Sequence, residues 1–233
     1  MRSHWWYRGR RIAVRSLLRR AGVVHRGRVL DYGCGTGNMG STLAEYGTVT
    51  GVDGSADALA VGDFRFYASV SRAPSPTDAD FPTGPFELIA CLDVLEHVED
   101  DAGLLAQLKA LLSPGGTLVV SVPMDPELYC LVDERAGHVR RYTRDRFEQA
   151  CATAELEMAV ASGYIVILEP LARWHRRRIM AGKATPDEEM DVPSAPVNAV
   201  LSLVAAGEGL VMRWRSLPDG LSLVAVLTPR RDG

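Results

Sequence analysis

A β-prone run that ends in a glycine-rich turn constrains this chain more than any other feature. Residues 29–40 read VLDYGCGTGNMG, in which the turn contains four glycines. Glycine is favoured there because it tolerates positive φ angles and lets a ligand approach the backbone closely. A helix predicted over residues 41–46 and a second β-prone run over 49–53 follow, so the chain opens as a β-α-β unit of a parallel sheet.

The second strand ends on an acidic residue, Asp53. A carboxylate in this place can accept hydrogen bonds from both hydroxyls of a ribose. The predicted helix would also direct its N-terminal amides and positive dipole end at the ligand. The glycine turn, the helix and Asp53 together describe a site for an adenosyl-containing cofactor.

Two kinds of adenosyl cofactor are compatible with the turn. Gly35, Gly37 and Gly40 satisfy the G-x-G-x-x-G pattern of dinucleotide sites, which is a weak signal when it stands alone. Asp31, two residues before Gly33, is poorly placed for a pyrophosphate and suits a cationic sulfonium or ammonium group.

The rest of the chain continues the alternation of strands and helices. We predict strands over residues 65–70, 86–92, 117–122 and 221–228, and helices over 12–18, 100–112 and 143–154. Residues 163–218 contain helical apolar stretches, a basic cluster and an acidic loop with prolines, which predicts a helical insertion between the last two strands.

Composition excludes several classes of protein. The 233 residues carry a net charge of -3, which argues against a non-specific nucleic-acid binder. Residues 197–212, the longest apolar stretch, are interrupted by Glu208, so we expect no integral membrane segment. The four cysteines have neither disulfide-type nor zinc-type spacing, so we expect reduced thiols and no metal site. Residues 1–20 lack the apolar core of a signal peptide, and we expect a cytoplasmic protein.

The motifs resemble one known family. LDYGCGTG, followed by GVDGS at residues 51–55, is similar to motifs I and II of the class I S-adenosylmethionine-dependent methyltransferases. Nearly the whole chain shares the resemblance, through HWWYRGRR, DVLEHV, KALLSPGGTLVVSVP, GHVRRYTRDRF and LPDGLSLVAVL. It implies a Rossmann-like three-layer αβα sandwich, with a seven-stranded, mostly parallel sheet whose last strand is antiparallel. We expect one domain over residues 1–233, with a lid helix in 1–25 and the insertion in 163–218.

The resemblance also implies the cofactor, S-adenosylmethionine. The glycine loop would hold its methionine end, and Arg8 or Arg11 would meet its carboxylate. Many such enzymes carry an acid after the third strand that contacts adenine, but none stands there in this chain, so that contact stays unassigned. The expected cofactor residues are Asp31, Gly33, Cys34, Gly35, Gly37, Asp53, Gly54, Leu92, Asp93 and Arg8.

Two histidines are candidates for a catalytic base. His97 follows the fourth strand at the carboxyl edge of the sheet, where ligands bind in open α/β folds, and His138 follows the fifth. We expect both to face one cavity beside the transferred methyl group. The alternative for His97 is that it begins a helix and packs beneath the cofactor. A base is needed only if the acceptor must lose a proton.

Aromatic and arginine residues are candidates for the acceptor site. Trp5 and Tyr7 could form a lid, or they could anchor a helix that only packs on the domain. Arg140, Arg141 and Tyr142 could bind an anionic acceptor, since arginine pairs carboxylate or phosphate in a bidentate way; the alternative is a solvated loop bridged to Asp133 or Glu134.

The sequence therefore favours a methyltransferase that acts on a small metabolite in secondary metabolism, by transfer to oxygen, nitrogen or carbon. A cofactor-binding protein of this fold without methyl transfer is the alternative, and an NAD-dependent oxidoreductase is a weaker one. The insertion would roof the pocket or form a homodimer contact. Its basic cluster, residues 173–178, could contact an anionic membrane surface, or it could be a solvated helix end.

Overall fold

A seven-stranded sheet forms the centre of the protein, in a computed structural model that describes residues 4–24, 27–186 and 193–230. The strand order is β3-β2-β1-β4-β5-β7-β6. Strand β7 runs antiparallel to both of its neighbours and the other adjacent pairs are parallel, which confirms the predicted sheet. The strands are β1 (Gly27–Tyr32), β2 (Gly47–Asp53), β3 (Tyr67–Arg72), β4 (Phe86–Leu92), β5 (Leu112–Pro123), β6 (Leu156–Tyr164) and β7 (Ser222–Pro229).

Helices cover both faces of this sheet. Asp100 caps α4 by accepting from the Gly103 amide at 2.8 Å, and Thr143 caps α6 through the Arg146 amide at 3.2 Å. The helices are α1 (Trp5–Arg20), α2 (Gly40–Leu43), α3 (Ala56–Val61), α4 (Asp101–Ala110), α5 (Leu131–Ala136), α6 (Arg144–Thr153), α7 (Glu169–Met180) and α8 (Ala195–Val211), with short 3-10 helices at Leu95–His97 and Pro126–Leu128.

Successive residues of the central strands enter different cores. Leu30 packs with α4 and α6 on one face of the sheet, whereas Val29 packs with α1 and α8 on the other. Side chains of a strand alternate between faces, so a strand buried on both faces must be apolar at every position. This requirement explains the uninterrupted apolar runs in β4, β5 and β7, and it produces the three-layer arrangement.

Two elements differ from the sequence prediction. The helix after the glycine turn has only the four residues Gly40–Leu43 and ends three residues earlier than predicted, because residues 44–46 form turns. Strand β3 begins two residues later than predicted and ends at Arg72, which places Ala73 at the carboxyl edge of the sheet.

The insertion between β6 and β7 is helical, as predicted, and consists of α7 and α8 within the described residues. Helix α8 packs along α1, and the Trp5 amide donates to the Asn198 side chain at 2.8 Å. The Glu208 carboxylate accepts from the amides of Val166 (2.9 Å) and Ile167 (2.6 Å), which fastens α8 to the start of the insertion. None of the described helices is both long enough and apolar enough to cross a membrane.

A glycine allows the close approach of α1 to the insertion. A Cβ atom at Gly9 would lie 2.0 Å from the Tyr164 hydroxyl oxygen and 2.6 Å from the Ala205 Cβ. Gly207 lies in α8, and a Cβ there would meet no atom within 4 Å. Substitution of Gly9 by alanine therefore tests close packing. The same substitution at Gly207 tests only the lower helix propensity of glycine.

We expect Gly9→Ala to destabilise the protein by about 1–3 kcal/mol, the usual cost of overpacking a core. Gly207→Ala is the matched control and should stabilise the protein by about 0.5–1 kcal/mol, because alanine favours the helix without a clash. Urea unfolding followed by circular dichroism measures both changes. Equal effects of the two substitutions would contradict the α1–α8 contact.

Candidate cofactor and acceptor sites

Two adjacent cavities open at the carboxyl edge of the sheet. The first, about 570 Å³, is lined by the glycine turn and by the ends of β1, β2 and β4. The second, about 520 Å³, is lined mainly by α7, the start of α1 and residues after β4 and β5. Trp6 and Asp93 line both cavities and form the wall between them.

The glycine turn shapes the first cavity. Gly33, Gly35 and Gly37 have φ angles of 75°, 52° and 79°. A Cβ at Gly35 would meet no atom within 4 Å, so this residue leaves open space for a ligand beside the backbone. Gly37 packs against the Asp63 carbonyl, where a Cβ would lie 2.5 Å from the oxygen. Gly35 therefore has a ligand-facing position, and Gly37 has a packing position.

The amides of the turn are already engaged. Gly33 and Cys34 donate to the Val52 carbonyl at 2.9 and 3.0 Å, and Gly35 donates to Asp53 at 2.7 Å. Helix α2 is a single turn, so the predicted contribution of its dipole is small. The amides of Gly33, Cys34 and Gly35 are not free to bind a pyrophosphate.

Three carboxylates line the same cavity. The Asp53 carboxylate accepts from the amides of Gly35 (2.7 Å) and Ser55 (2.8 Å), which fixes its orientation at the end of β2. Asp31 is almost fully buried and accepts from the Tyr67 hydroxyl at 2.6 Å. Burial raises the pKa of Asp31 to about 6, and the Tyr67 hydrogen bond opposes part of that change. The surroundings of Asp31 therefore favour a cation in its vicinity.

The third carboxylate, Asp93, forms the wall with the acceptor cavity. It has a positive φ of 56° directly after β4. One of its oxygens accepts from the Ser121 hydroxyl at 2.6 Å, and the other is paired with Arg10 of α1. Asp93 thereby joins the N-terminal helix to the edge of the sheet.

The expected cofactor residues divide into two groups. Arg8 is exposed and Gly37 lies outside the lining, so neither reaches the cavity; Arg10 is the arginine of α1 that does. Tyr7, expected at the acceptor, also lines this first cavity. The other expected residues line it: Asp31, Gly33, Cys34, Gly35, Asp53, Gly54, Leu92 and Asp93.

The first cavity also has apolar lining residues. Ala73 and Pro74, which follow β3, line it together with Ala58 and Val94. The Tyr32 hydroxyl donates to the Pro74 carbonyl at 3.0 Å and holds that segment in place. This surface suits a flat aromatic base packed by apolar contact, and no carboxylate stands directly after β3.

The second cavity combines apolar walls with basic groups. Trp5 from α1 lines it, as expected, together with Leu168, Leu171 and Trp174 of the insertion. Its polar lining consists of His4, Asp93, Glu96, His138, Arg141, His175, Arg176 and Ser222.

The two candidate histidines touch each other but line different cavities. Their ring centroids are 4.7 Å apart in an edge-to-face arrangement. His97 lines the first cavity, and its Nδ1 lies 3.1 Å from the Gly137 carbonyl oxygen. Partial burial and the neighbouring His138 lower the pKa of His97. His138 lines the second cavity, so the expectation that both face one cavity is wrong.

Buried ion pairs hold the His138 segment against α7. The fully buried Asp133 accepts from Arg141 Nε at 2.9 Å, from Arg176 at 2.6 Å and from His138 Nδ1 at 3.0 Å. Because an ionised carboxylate can only accept, Nδ1 carries a proton in this hydrogen bond. His138 Nε2 lies 3.9 Å from the buried Glu96 carboxylate.

Arg140 and Tyr142 line neither cavity. Arg140 is paired with Asp101 (3.0 Å) and with the exposed Glu99, and the fully buried Tyr142 donates to Asp101 at 2.9 Å. Arg141 lines the acceptor cavity but is held by Asp133, which is the bridging alternative considered from the sequence. A structural role for Arg140 and Tyr142 follows from these contacts.

Sequence reasoning missed many residues of the acceptor cavity, among them Glu96, His175 and Arg176. Arg176 belongs to the basic cluster, but nothing local separates it from its exposed neighbours Arg177 and Arg178. Glu96 stands beside His97 in the sequence, and its burial follows only from the packing of the Leu95–His97 helix. Burial, with Asp93 close by, raises the pKa of Glu96 well above its ordinary value.

The fold and the first cavity define a Rossmann-like protein that binds an adenosyl cofactor. A family model described as a methyltransferase domain matches residues 5–161, and the chain belongs to this family. The resemblance to class I S-adenosylmethionine-dependent methyltransferases is thereby confirmed, with S-adenosylmethionine as the cofactor.

Curated relatives agree with this family. Ubiquinone biosynthesis O-methyltransferase of Aromatoleum aromaticum is 36% identical over 109 residues, covering 44% of this chain and 46% of that protein. Trans-aconitate 2-methyltransferase of an Azoarcus species is 30% identical over 193 residues, covering 81% and 72%. The matching region spans about half the length of several of these relatives.

A solved structure supports the fold independently. Geranyl diphosphate methyltransferase in complex with S-adenosylmethionine superposes with a TM-score of 0.58. The superposition covers 91% of this chain and 82% of that one, at 17% sequence identity.

We expect cofactor affinity to depend on the ionisation of Asp31. Below its pKa of about 6 the carboxyl group is protonated and no longer attracts a cation. The affinity for S-adenosylhomocysteine, whose ammonium group stays charged, should therefore fall about tenfold from pH 7 to pH 5. Isothermal titration calorimetry at both pH values measures the change.

Asp31→Asn is the control for this prediction. It should bind more weakly at pH 7 and with little change between pH 7 and pH 5. A pH dependence that persists in the variant would assign the effect to Asp53, Asp93 or His97, which line the same cavity, and would contradict the role of Asp31.

Proposed function

We propose that this protein transfers a methyl group from S-adenosylmethionine to a small anionic acceptor in the second cavity. The observation that carries the proposal is the shared wall: Trp6 and Asp93 separate a cavity suited to the cofactor from one suited to an organic anion. A methyl donor and an acceptor in the two cavities would meet at this wall. We place the acceptor in secondary metabolism.

The residues of the first cavity fit the cofactor. Asp53 would hold the ribose, Asp31 would lie near the cationic groups, and Arg10 would meet the carboxylate. The space beside Gly35 and the apolar surface at Ala73 and Pro74 support this assignment. When bound, S-adenosylmethionine supplies an activated methyl group for in-line displacement.

The charge of the second cavity supports an anionic acceptor. Arg141 and Arg176 line it, and their positively charged guanidinium groups can donate hydrogen bonds to an anion. Glu96 compensates little of this charge, because burial keeps its pKa high. Positive charge with low-dielectric walls attracts anions. The apolar side chains of the insertion would hold the rest of the acceptor.

His138 is the better placed of the two proposed bases. Asp133 holds its Nδ1 proton, so a neutral His138 has its lone pair on Nε2, in the acceptor cavity. It could take the proton of an acceptor hydroxyl as the new bond forms, which would favour transfer to oxygen over nitrogen or carbon. His97 lines the cofactor cavity and contacts the His138 ring. It would act as a second base or would position that ring.

The N-terminal helix would serve as a lid over both cavities. His4 and Trp5 line the acceptor cavity, and Tyr7 and Arg10 line the cofactor cavity. We infer that residues 1–233 form one domain, with this lid and the insertion at the site. The four cysteines are free and buried, which supports a reducing, cytoplasmic location.

Calorimetry and a transfer assay test the proposal together. We expect S-adenosylmethionine and S-adenosylhomocysteine to bind and NAD not to bind. Mass spectrometry should then detect methylated products among hydroxylated aromatic acids and tricarboxylic acids such as trans-aconitate. NAD binding without sulfonium binding would establish the oxidoreductase alternative. Cofactor binding with no methylated product would favour a protein of this fold without methyl transfer.

Asp53→Ala should weaken S-adenosylhomocysteine binding by about 1–3 kcal/mol, because a charged hydrogen-bond partner of the ribose is lost. The side chain also holds the Gly35 and Ser55 amides, so circular dichroism must show an intact fold. Unchanged affinity in a folded variant would remove the ribose assignment.

Substitutions in the acceptor cavity should separate catalysis from binding. His138→Ala should lower kcat by about 10²–10⁴-fold, the usual contribution of a general base, while cofactor affinity stays nearly unchanged. Arg176→Ala should raise the acceptor KM, whereas Arg140→Ala, outside the cavity, should not. Full activity in both His138→Ala and His97→Ala would show that the acceptor is already nucleophilic and would refute the base.

A further inference from the structure

The insertion presents an exposed apolar face to solvent. On α8 the large exposed side chains Val200, Leu203, Leu210 and Val211 are followed by Trp214 just beyond the helix. Their spacing of three, four and seven residues places them on one side of the helix, away from the buried Ala205. Leu203 and Trp214 are each 73% exposed.

Helix α7 adds a second exposed tryptophan to the insertion. Leu171 and Trp174 are separated by three residues and are each 56% exposed. The Arg178 guanidinium lies 4.9 Å from the centre of the Trp174 ring. The two exposed tryptophans and their aliphatic neighbours on α7 and α8 are called the insertion face below.

Basic side chains border the insertion face. Arg177 and Arg178 follow Trp174, and Arg213 and Arg215 flank Trp214; all four are exposed. Among the residues that the structure describes, none of these four forms an ion pair with a carboxylate, in contrast to Arg173 and Arg176 of the same α7. The described part of the face therefore combines apolar surface with unneutralised positive charge.

The acceptor cavity opens at this face. Leu171 and Trp174 line the cavity and are also more than half exposed. Leu168 and Leu201 continue the apolar lining beside them. Apolar side chains of the insertion therefore belong both to its exposed surface and to the lining of the cavity.

We propose that the insertion face docks on the surface of an anionic phospholipid bilayer, with Trp174 and Trp214 in the interfacial region. Charge complementarity carries the proposal: exposed arginines beside tryptophan and aliphatic side chains match a negatively charged headgroup layer over an apolar interior. The helices would lie on the bilayer and not cross it. The docking does not depend on the proposed reaction.

A second copy of this chain is the competing occupant of the face. A twofold contact would bring the same surface of each copy together, so the arginines of one copy would approach those of the other. Like charges at an interface oppose association. Charge therefore favours the bilayer over the homodimer. Residues 187–192, which contain four acidic side chains, lie outside the described part of the chain, so the full chain is the appropriate sample.

Vesicle co-sedimentation with the full chain tests the proposal. We expect binding to vesicles of phosphatidylcholine with phosphatidylglycerol, little binding to phosphatidylcholine alone, and loss of binding in high salt. Arg213→Gln with Arg215→Gln should weaken the binding about 25-fold, since each cationic side chain near an anionic surface contributes about fivefold. The matched control removes two exposed arginines elsewhere, Arg28→Gln with Arg65→Gln, and should change the binding much less.

The apolar part of the face needs its own pair of variants. Leu203→Ser should weaken vesicle binding, whereas Val61→Ser, at a similarly exposed position on α3, should not. Affinity for S-adenosylhomocysteine should stay unchanged in every variant, which separates this test from that of the reaction. Equal binding to neutral vesicles, or equal effects of the face and control variants, would overturn the proposal. So would absence of vesicle binding together with a dimer in light scattering that Leu203→Ser dissociates.

Discussion

The ion pair between Arg10 and Asp93 joins the N-terminal helix to the carboxyl edge of the sheet, and both cavities depend on it. Asp93 lies in the wall between them, and Arg10 brings α1 over that wall. Both side chains are partly buried, and Ser121 supplies a further hydrogen bond to Asp93. The position of α1 is therefore tied to the same carboxylate that faces the proposed reaction.

At the acceptor cavity, Asp133 joins two distant segments of the chain, as Asp93 does at the wall between the cavities. It receives hydrogen bonds from the segment after α5 and from α7, which are distant in the sequence. The pKa of Asp133 is lowered by these hydrogen bonds and charges, although its burial acts in the opposite direction. The carboxylate therefore stays ionised and fixes two arginines and a histidine at once. The insertion could not shift away from His138 without exposing unpaired buried charges.

The site residues that lie close to one another in the sequence could be predicted. The glycine turn and Asp53 belong to one β-α-β unit, so their spacing alone places them together. The length of α2 was not predictable: the helix ends at Leu43, and residues 44–46 form turns. Local sequence does not show this early end.

Some missed residues had a usable signal in their periodicity. Arg10 precedes Val14 and Leu17 by four and seven residues, so extending the predicted helix 12–18 backwards places Arg10 on its buried face, with Arg8 off that face. Arg140 and Tyr142 both contact Asp101, whereas Arg141 contacts Asp133, as expected for the alternation of an extended segment.

Charged side chains are distributed differently over the two cavities. The first cavity carries Asp31, Asp53 and Asp93 with Arg10 opposing them, and Arg141 and Arg176 line the second. The carboxylates favour a cation on the cofactor side of the wall, opposite the proposed anionic acceptor. A reaction between a cationic donor and an anionic acceptor loses charge as it proceeds, so it is favoured where water is excluded. Trp6, which lines both cavities, would contribute this exclusion at the place where the two reactants meet.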